Sequence, residues 1–344
     1  MILAASRFAK AVLLGLLGVL VAGCGSSTPP EVVVYTALDE EFSRPIFAGF
    51  ERRNNVTVRA KFDTEATKTV GLAVALIAER DRPRCDLFWN NEVLHTIRLE
   101  QAGLLSPITS QHITDYPEEM RGKDNAWIGF AARGRVLIVN NNLLSEARRP
   151  KSIEELTDPQ WRDQCGVAKP LFGTSATHAA CLFAAWGEER TKEFYVGVKK
   201  NCRIMSGNKG VAQAVAQGRL MFGLTDTDDA MIELESGRPV TIIYPDQGEG
   251  QVGTLFIPNT LALIKGSPNP AAGAALADYL LSPEVEGRLV DGPSAQIPLN
   301  AKSTAKPRVE TPSTVRAMDV DFYKAAEQWA VAAEFLKNEF AAAE

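Results

Sequence analysis

Apolar and polar positions fall into blocks along the chain, and the blocks switch between a strand-like and a helix-like period. Val32-Val33-Val34-Tyr35 is a β-rich apolar run that stops at Thr36-Ala37. A helical pattern follows, with Ile46, Phe47 and Phe50 on one face and Ser43 expected as its cap. Val56-Thr57-Val58 predicts the next strand and Thr69 to Glu79 the next helix. Asp86-Leu87-Phe88-Trp89 predicts a third strand, followed by a helix through Val93, Ile97 and Leu99. Such a βαβαβα series builds a parallel sheet with helices on both faces.

A second series begins after Trp161. It predicts a strand at 165–168, helices at 175–186 and 189–200, a strand at 202–205, a helix at 209–216 and a strand at 220–225. Two long β-rich stretches, 126–140 and 252–264, join the series and are placed to cross between the halves. Ala-rich helices at 270–281 and 318–342 close the chain. The expected fold class is α/β: two doubly wound α/β lobes joined by crossing hinge strands. One lobe takes 31–130 with about 258–297, the other 131–257 with about 298–344. Two lobes joined in this way make a clamp, and in doubly wound sheets ligands sit beyond the carboxyl ends of the strands.

The first residues belong to neither lobe. Arg7 and Lys10 precede an apolar stretch from Ala11 to Ala22, too short to span a bilayer comfortably but suited to a cleaved signal peptide over 1–23. Val21-Ala22-Gly23-Cys24 resembles a bacterial lipobox, which makes Cys24 the lipidated N-terminus of the mature protein. Residues 24–30, rich in Gly, Ser and Pro, read as a tether. The alternative is an ordinary secreted protein with a cysteine there by chance. The expected location is extracytoplasmic, in the periplasm or at the cell surface, with membrane attachment through the lipid anchor.

Composition then excludes some partners. The formal charge is −5, or −7 once Arg7 and Lys10 leave with the leader, and no basic run offers nucleic acid a footprint. Besides Cys24 there are Cys85, Cys165, Cys181 and Cys202. Four cysteines allow three pairings, and sequence does not choose among them. Cys165 and Cys202 each open a short apolar stretch, so a disulfide between them requires those stretches to be neighbouring parallel strands. Cys181 reads as a buried thiol in a helix.

Candidate chemistry lies at the strand ends. After the first strand come Thr36 and Asp39, which face a ligand or simply start the next helix. Trp89-Asn90-Asn91 offers a stacking surface and mixed donors and acceptors, unless Trp89 packs the lobe and the amides cap a helix. Thr174-Ser175-Ala176-Thr177 follows Gly173 and opens an apolar helix, whose free N–H groups suit an oxyanion. Plain N-capping is the alternative. Asn208 opens another helix in the same lobe, and His178 is expected to be packed rather than a metal ligand. Asp226-Thr227-Asp228-Asp229 sets three carboxylates within four residues, which either meet a ligand or complement a helix start.

The order of these segments resembles the ferric-iron-type extracellular solute-binding proteins of ABC importers, which have the bilobal type II periplasmic binding fold. The matching stretches include Val34-Tyr35-Thr36-Ala37, Ile46-Phe47-Ala48-Gly49-Phe50-Glu51, Asp86 to Glu92, Phe172 to Thr177, Gly223 to Asp229, Ala262 to Pro268 and Ile297-Pro298-Leu299-Asn300. They cover nearly the whole mature chain. The resemblance implies an ABC permease and ATPase as partners, a monomer, no cofactor and no catalysis. It departs from iron-binding members at the ligands. Where they carry adjacent tyrosines, this chain has Thr227-Asp228. Asn91 stands at the place of a metal-binding Glu, and Asp39 near that of a His. The anion-holding segment with Ser175, Ala176, Thr177 and Asn208 is kept.

The expected ligand is therefore a small oxyanion of phosphate ester or phosphonate type. The alternative is ferric iron (Fe3+ as cargo) with a synergistic anion, held by Asp39, Asp226 and Asp228. A secreted hydrolase is a third class, but no nucleophile elbow, His-Glu-x-x-His or phosphate loop occurs, and the three histidines are scattered. A sensor partner for a membrane receptor is a fourth, distinguishable by neighbouring genes.

Overall fold

The computed structural model of the chain describes residues 29–63 and 69–341. The leader, Cys24 and the tether as far as Thr28 lie outside the described residues. The first series forms β1 (Glu31–Thr36), α1 (Glu40–Asn54), β2 (Thr57–Phe62), α2 (Val70–Ala78), β3 (Leu87–Asn90), α3 (Leu94–Gln101) and the short β4 (Leu105–Ser106). The long strand β5 (Trp127–Asn140) leads to the second series. This comprises β6 (Cys165–Ala168), α4 (Gly173–Trp186), α5 (Glu188–Asn201), β7 (Arg203–Met205), α6 (Asn208–Ala216), β8 (Phe222–Asp226) and α7 (Thr227–Glu235). The chain ends with β9 (Val240–Ile243), β10 (Phe256–Ile264), α8 (Pro270–Leu280), α9 (Pro283–Asp291) and α10 (Phe322–Phe340).

These strands form one mixed sheet in the order β2-β1-β3-β10-β5-β8-β6-β7, with β4 beside β10 and β9 beside β5. Strands β1, β2 and β3 are mutually parallel, and so are β6, β7 and β8, as helical crossovers require. Between the two triplets β10 and β5 run antiparallel. As far as Gly134, β5 pairs with β10; from Arg135 onward it pairs with β8 and β9. One strand thus belongs to both triplets, and β10 and β5 are the expected crossing stretches.

The crossing is shaped by a kink. Ala131 adopts φ +44°, which non-glycine residues rarely do, and the β5–β10 register shifts beside it, between Ile257 and Asn259. The displaced Ala131 N–H donates to the buried carboxylate of Glu286 on α9 at 2.7 Å. Ala132 then exchanges both backbone hydrogen bonds with Ile297 at 2.7 Å.

Three local expectations change. Ser43 is not a cap: α1 starts at Glu40, and Ser43 lies buried within it, donating to Asp39 O at 3.0 Å. The helix begins directly after the strand because Glu40 and Glu41 complement its dipole in the first turn. Strand β9 and helix α9 were not foreseen. Helix α9 is started by Pro283 and by Ser282, whose hydroxyl accepts from Val285 N. Helix α10 packs along α4 and also on α3, where Trp329 meets His95 edge-on at 4.4 Å. Among the described residues no helix is long and apolar enough to cross a membrane.

Candidate functional site

The site grows out of the register between β5 and β8. Arg135 lies directly opposite Asp226, and its guanidinium donates to Asp226 Oδ1 at 2.7 Å. One residue back along β5, Gly134 N donates at 3.1 Å to Oγ1 of Thr227, the first residue of α7. One step further, Arg133 pairs with Asp228 at 3.1 Å. Arg133-Gly134-Arg135 thus meets Asp226-Thr227-Asp228, the last residue of β8 and the first two of α7, as a three-rung zipper. The period of two sets both arginines on one face of β5. Each is 1% exposed. At that depth a guanidinium is held by partners or not at all. Arg133 also donates to Asn259 Oδ1 at 2.9 Å and to Asn91 O.

Two helix starts converge on this zipper. The turn after β6 enters α4 at Gly173, whose φ of +55° suits glycine. No side chain caps α4; its first hydrogen-bonded amide is Ala176 N, which donates to Phe172 O, so the amides of Gly173, Thr174 and Ser175 start the helix without a helical acceptor. Thr174 Oγ1 instead donates to Asp226 Oδ2 at 2.5 Å, and Ser175 Oγ donates to Asn208 Oδ1 at 3.1 Å. The turn after β7 enters α6 at Asn208, whose amide donates to Thr174 Oγ1 and Asp226 Oδ2, each at 2.9 Å. Arg135 Nη1 closes the ring on Asn208 Oδ1 at 3.0 Å.

While Arg135 lies behind Asp226 and outside the lining, Arg133, Gly173, Thr174, Ser175, Asn208, Asp226 and Asp228 line a cleft together with Leu38, Asp39, Asn91, Lys169, Phe172, Ser206, Gly207 and Asp229. It encloses about 30 Å³, roughly one water molecule's share of liquid volume. Contacts between the two triplets hold it shut: Lys209 on α6 pairs with Glu41 on α1 at 3.0 Å, and Thr177 on α4 donates to Glu92 beyond β3 at 3.0 Å. Two cations, Arg133 and Lys169, face four carboxylates, Asp39, Asp226, Asp228 and Asp229, and Arg135 backs Asp226 from behind. Oxygens of Asp226, Asp228 and Asp229 lie within 4.8 Å of one another, a spacing that suits a metal ion; Asp39 is outside that trio.

Of the residues expected here, the structure brings together Asp39, Asn91, Thr174, Ser175, Asn208, Asp226 and Asp228. It places the others elsewhere. Trp89 is fully buried against Phe47 (5.6 Å) and Phe130 (5.4 Å), because β3 is covered on both faces. Asn90 points to Glu92 and Thr96, and Thr36 Oγ1 accepts from Leu38 N. Thr227 serves the zipper, and Ala176 is buried in the core around α4. His178 is packed as expected; burial and neighbouring Arg135 push its pKa down to about 3, so the ring is neutral.

Thr177 is a support rather than a wall of the cleft. Its partner Glu92 is wholly buried and also accepts from Asn90, Leu94 N, His95 N and the His95 ring. Burial raises the Glu92 pKa, but His95 and Asn90 outweigh that and hold it below the usual range. Thr177→Ala is expected to lower the unfolding free energy by about 1–2 kcal/mol in urea titrations. The cleft-lining groups would stay in place.

What sequence reasoning missed was cationic. Arg133, Arg135 and Lys169 were not among the candidates, although two arginines at i and i+2 in an otherwise apolar strand are a readable signal. None of the six tyrosines lines the cleft.

The chain matches the family model described as bacterial extracellular solute-binding protein over residues 88–326. It is 28% identical over 211 residues to iron uptake protein A2 of Synechocystis, a stretch covering 57% of this chain and 59% of that relative. Among solved structures, iron-bound HitA of Pseudomonas aeruginosa superposes with a TM-score of 0.82 at 23% identity, covering 90% of this chain and 99% of that one. AfuA of Actinobacillus pleuropneumoniae, solved with exogenous fructose-6-phosphate, gives 0.81 at 18% identity, covering 91% and 99%. Likeness at such identities shows the fold, the type II periplasmic binding architecture expected from the sequence. With a family match spanning more than half its length, the chain belongs to the bacterial extracellular solute-binding proteins.

Proposed function

We propose that this chain is the ligand-capturing component of an ABC importer and that its ligand carries a phosphate ester or phosphonate group. The observation that carries the reading is the uncapped start of α4 beside Arg135 and Asn208. Backbone N–H groups and hydroxyls converge there with a buried guanidinium supporting them from behind, a donor set that suits an oxyanion. Asp39, Asp228 and Asp229 would meet hydroxyl or ammonium groups at the other end of the ligand. A cleft of about 30 Å³ admits such a ligand only after the halves part, so capture is a hinge closure about β5 and β10. Lipidation at Cys24, a membrane-tethered extracytoplasmic location, a monomeric state, a permease and an ATPase complete the proposal; catalysis is no part of it.

Ferric iron with a synergistic anion is the second reading. The clustered oxygens of Asp226, Asp228 and Asp229, and the names of the iron-related proteins above, favour it. Against it, Asp226 and Asp228 are each engaged by an arginine, and no phenol reaches the cleft. Calorimetry with inorganic phosphate, a sugar phosphate, an aminoalkylphosphonate and ferric ion, the last with and without phosphate, separates the readings. Saturable binding of a phosphoryl compound without metal is expected. Tight binding of ferric ion with silent phosphoryl titrations would overturn the first reading.

A further inference from the structure

We infer that Cys165 and Cys202 are joined by a disulfide in the mature protein and that this bond staples the scaffold of the cleft. The parallel register of β6 on β7 sets Gly166 opposite Arg203, so the preceding residues, Cys165 and Cys202, are neighbours at the same end of the two strands. Their Sγ atoms are 3.1 Å apart and both residues are buried. A bond of about 2.05 Å needs roughly 1 Å of closure, which side-chain rotation supplies. Cys85 lies in a different core cluster, and Cys181, in the same cluster as the pair, sits within α4 away from the ends of β6 and β7.

The position gives the bond a consequence. The opposite, carboxyl ends of β6 and β7 run into the turns that open α4 and α6, the two helix starts of the cleft. A covalent link at the near ends fixes the spacing of the strands that aim Thr174, Ser175 and Asn208. In the step itself each thiol loses a proton and the pair gives up two electrons to a disulfide oxidant, protein or small molecule, which is reduced to its dithiol. The adjoining Cys165 thiol and burial hold the Cys202 thiol well above its usual pKa in the folded chain.

The test uses the full chain produced in an extracytoplasmic compartment, unfolded with an alkylating agent and no reductant, then digested and mapped. A peptide linking Cys165 to Cys202, with Cys85 and Cys181 alkylated, is expected. Alkylation of both Cys165 and Cys202, or linkage to another cysteine, would overturn the inference. Melting gives a second readout: reductant should lower the midpoint of the wild-type chain by about 5–10 °C and leave Cys165→Ala/Cys202→Ala unmoved. An equal response of both chains to reductant would also count against it. If the double variant does not fold, peptide mapping of the wild-type chain still decides.

Discussion

Arg135→Ala is expected to lower the unfolding free energy by about 3–5 kcal/mol and to weaken capture of a phosphoryl ligand at least tenfold. Both effects follow from one arrangement. Arg135 is buried and donates to Asp226, Asn208, Thr174 and Ser175. Alanine leaves the Asp226 carboxylate in the interior without its cation and opens a cavity beneath the start of α4. The stability loss alone does not establish a binding role, so the informative companion is Arg135→Met/Asp226→Leu. Removing both charges should restore most of the stability while capture stays lost, as seen by chemical denaturation and calorimetry on the same samples. Recovered binding in that double variant would show that Arg135 only supports the fold.

Glu92→Ala carries the second large effect, again about 3–5 kcal/mol, since it strands the Asn90 amide, two backbone N–H groups and the Thr177 hydroxyl without their acceptor. Its titration gives a sharper test. The folded carboxyl is held below the ordinary value of 4.5, so its contribution is complete above that pH and is lost as pH falls through the folded pKa. His178 acts in an earlier window. With its folded pKa near 3 against an ordinary 6.5, the unfolded chain gains a proton that the folded chain refuses, and stability declines from pH 6.5 downward. Glu92→Gln should therefore flatten the limb below pH 4.5 and leave the decline between 6.5 and 4.5 intact. Urea midpoints across pH 3–8 would show it, and an unchanged low-pH limb would refute the assignment.

Much of the fold was legible because its signals are local. Apolar runs such as Val32 to Tyr35 and Asp86 to Trp89 are bounded by helical patterns, and that alternation forces parallel pairing. The crossing role of 126–140 followed from its length. Other elements were hidden by weak or misleading signals. Helix α9 is nine residues long with four charges, and its apolar stripe rests on only Val285, Leu289 and Val290, although Ser282-Pro283-Glu284 is a helix start. Strand β9 is four residues on the free side of β5. Trp89 misled because a strand-end aromatic resembles a stacking surface, and only the packing of Phe47 and Phe130 shows both faces of β3 to be covered.

The candidate site was half legible for a related reason. Helix starts advertise themselves through Gly, Ser, Thr, Asn and Asp, and those residues were found. Arg133 and Arg135 come from the middle of a strand, and their use depends on β8 arriving in register. Asp-Thr-Asp at the junction of β8 and α7 and Arg-Gly-Arg in β5, of opposite charge, were the available clue to that pairing.

The zipper has one more consequence. Each guanidinium already holds an aspartate, so the cleft contains its own resident competitor for any anion. On the proposed reading, a monovalent carboxylate offers an arginine little that Asp226 or Asp228 does not already supply, and gains little by displacement. A dianionic phosphoryl group brings more charge and a third oxygen, which the start of α4 is free to receive. The carboxylates paired with the arginines would therefore act as a filter, passing dianions and turning away acetate and chloride.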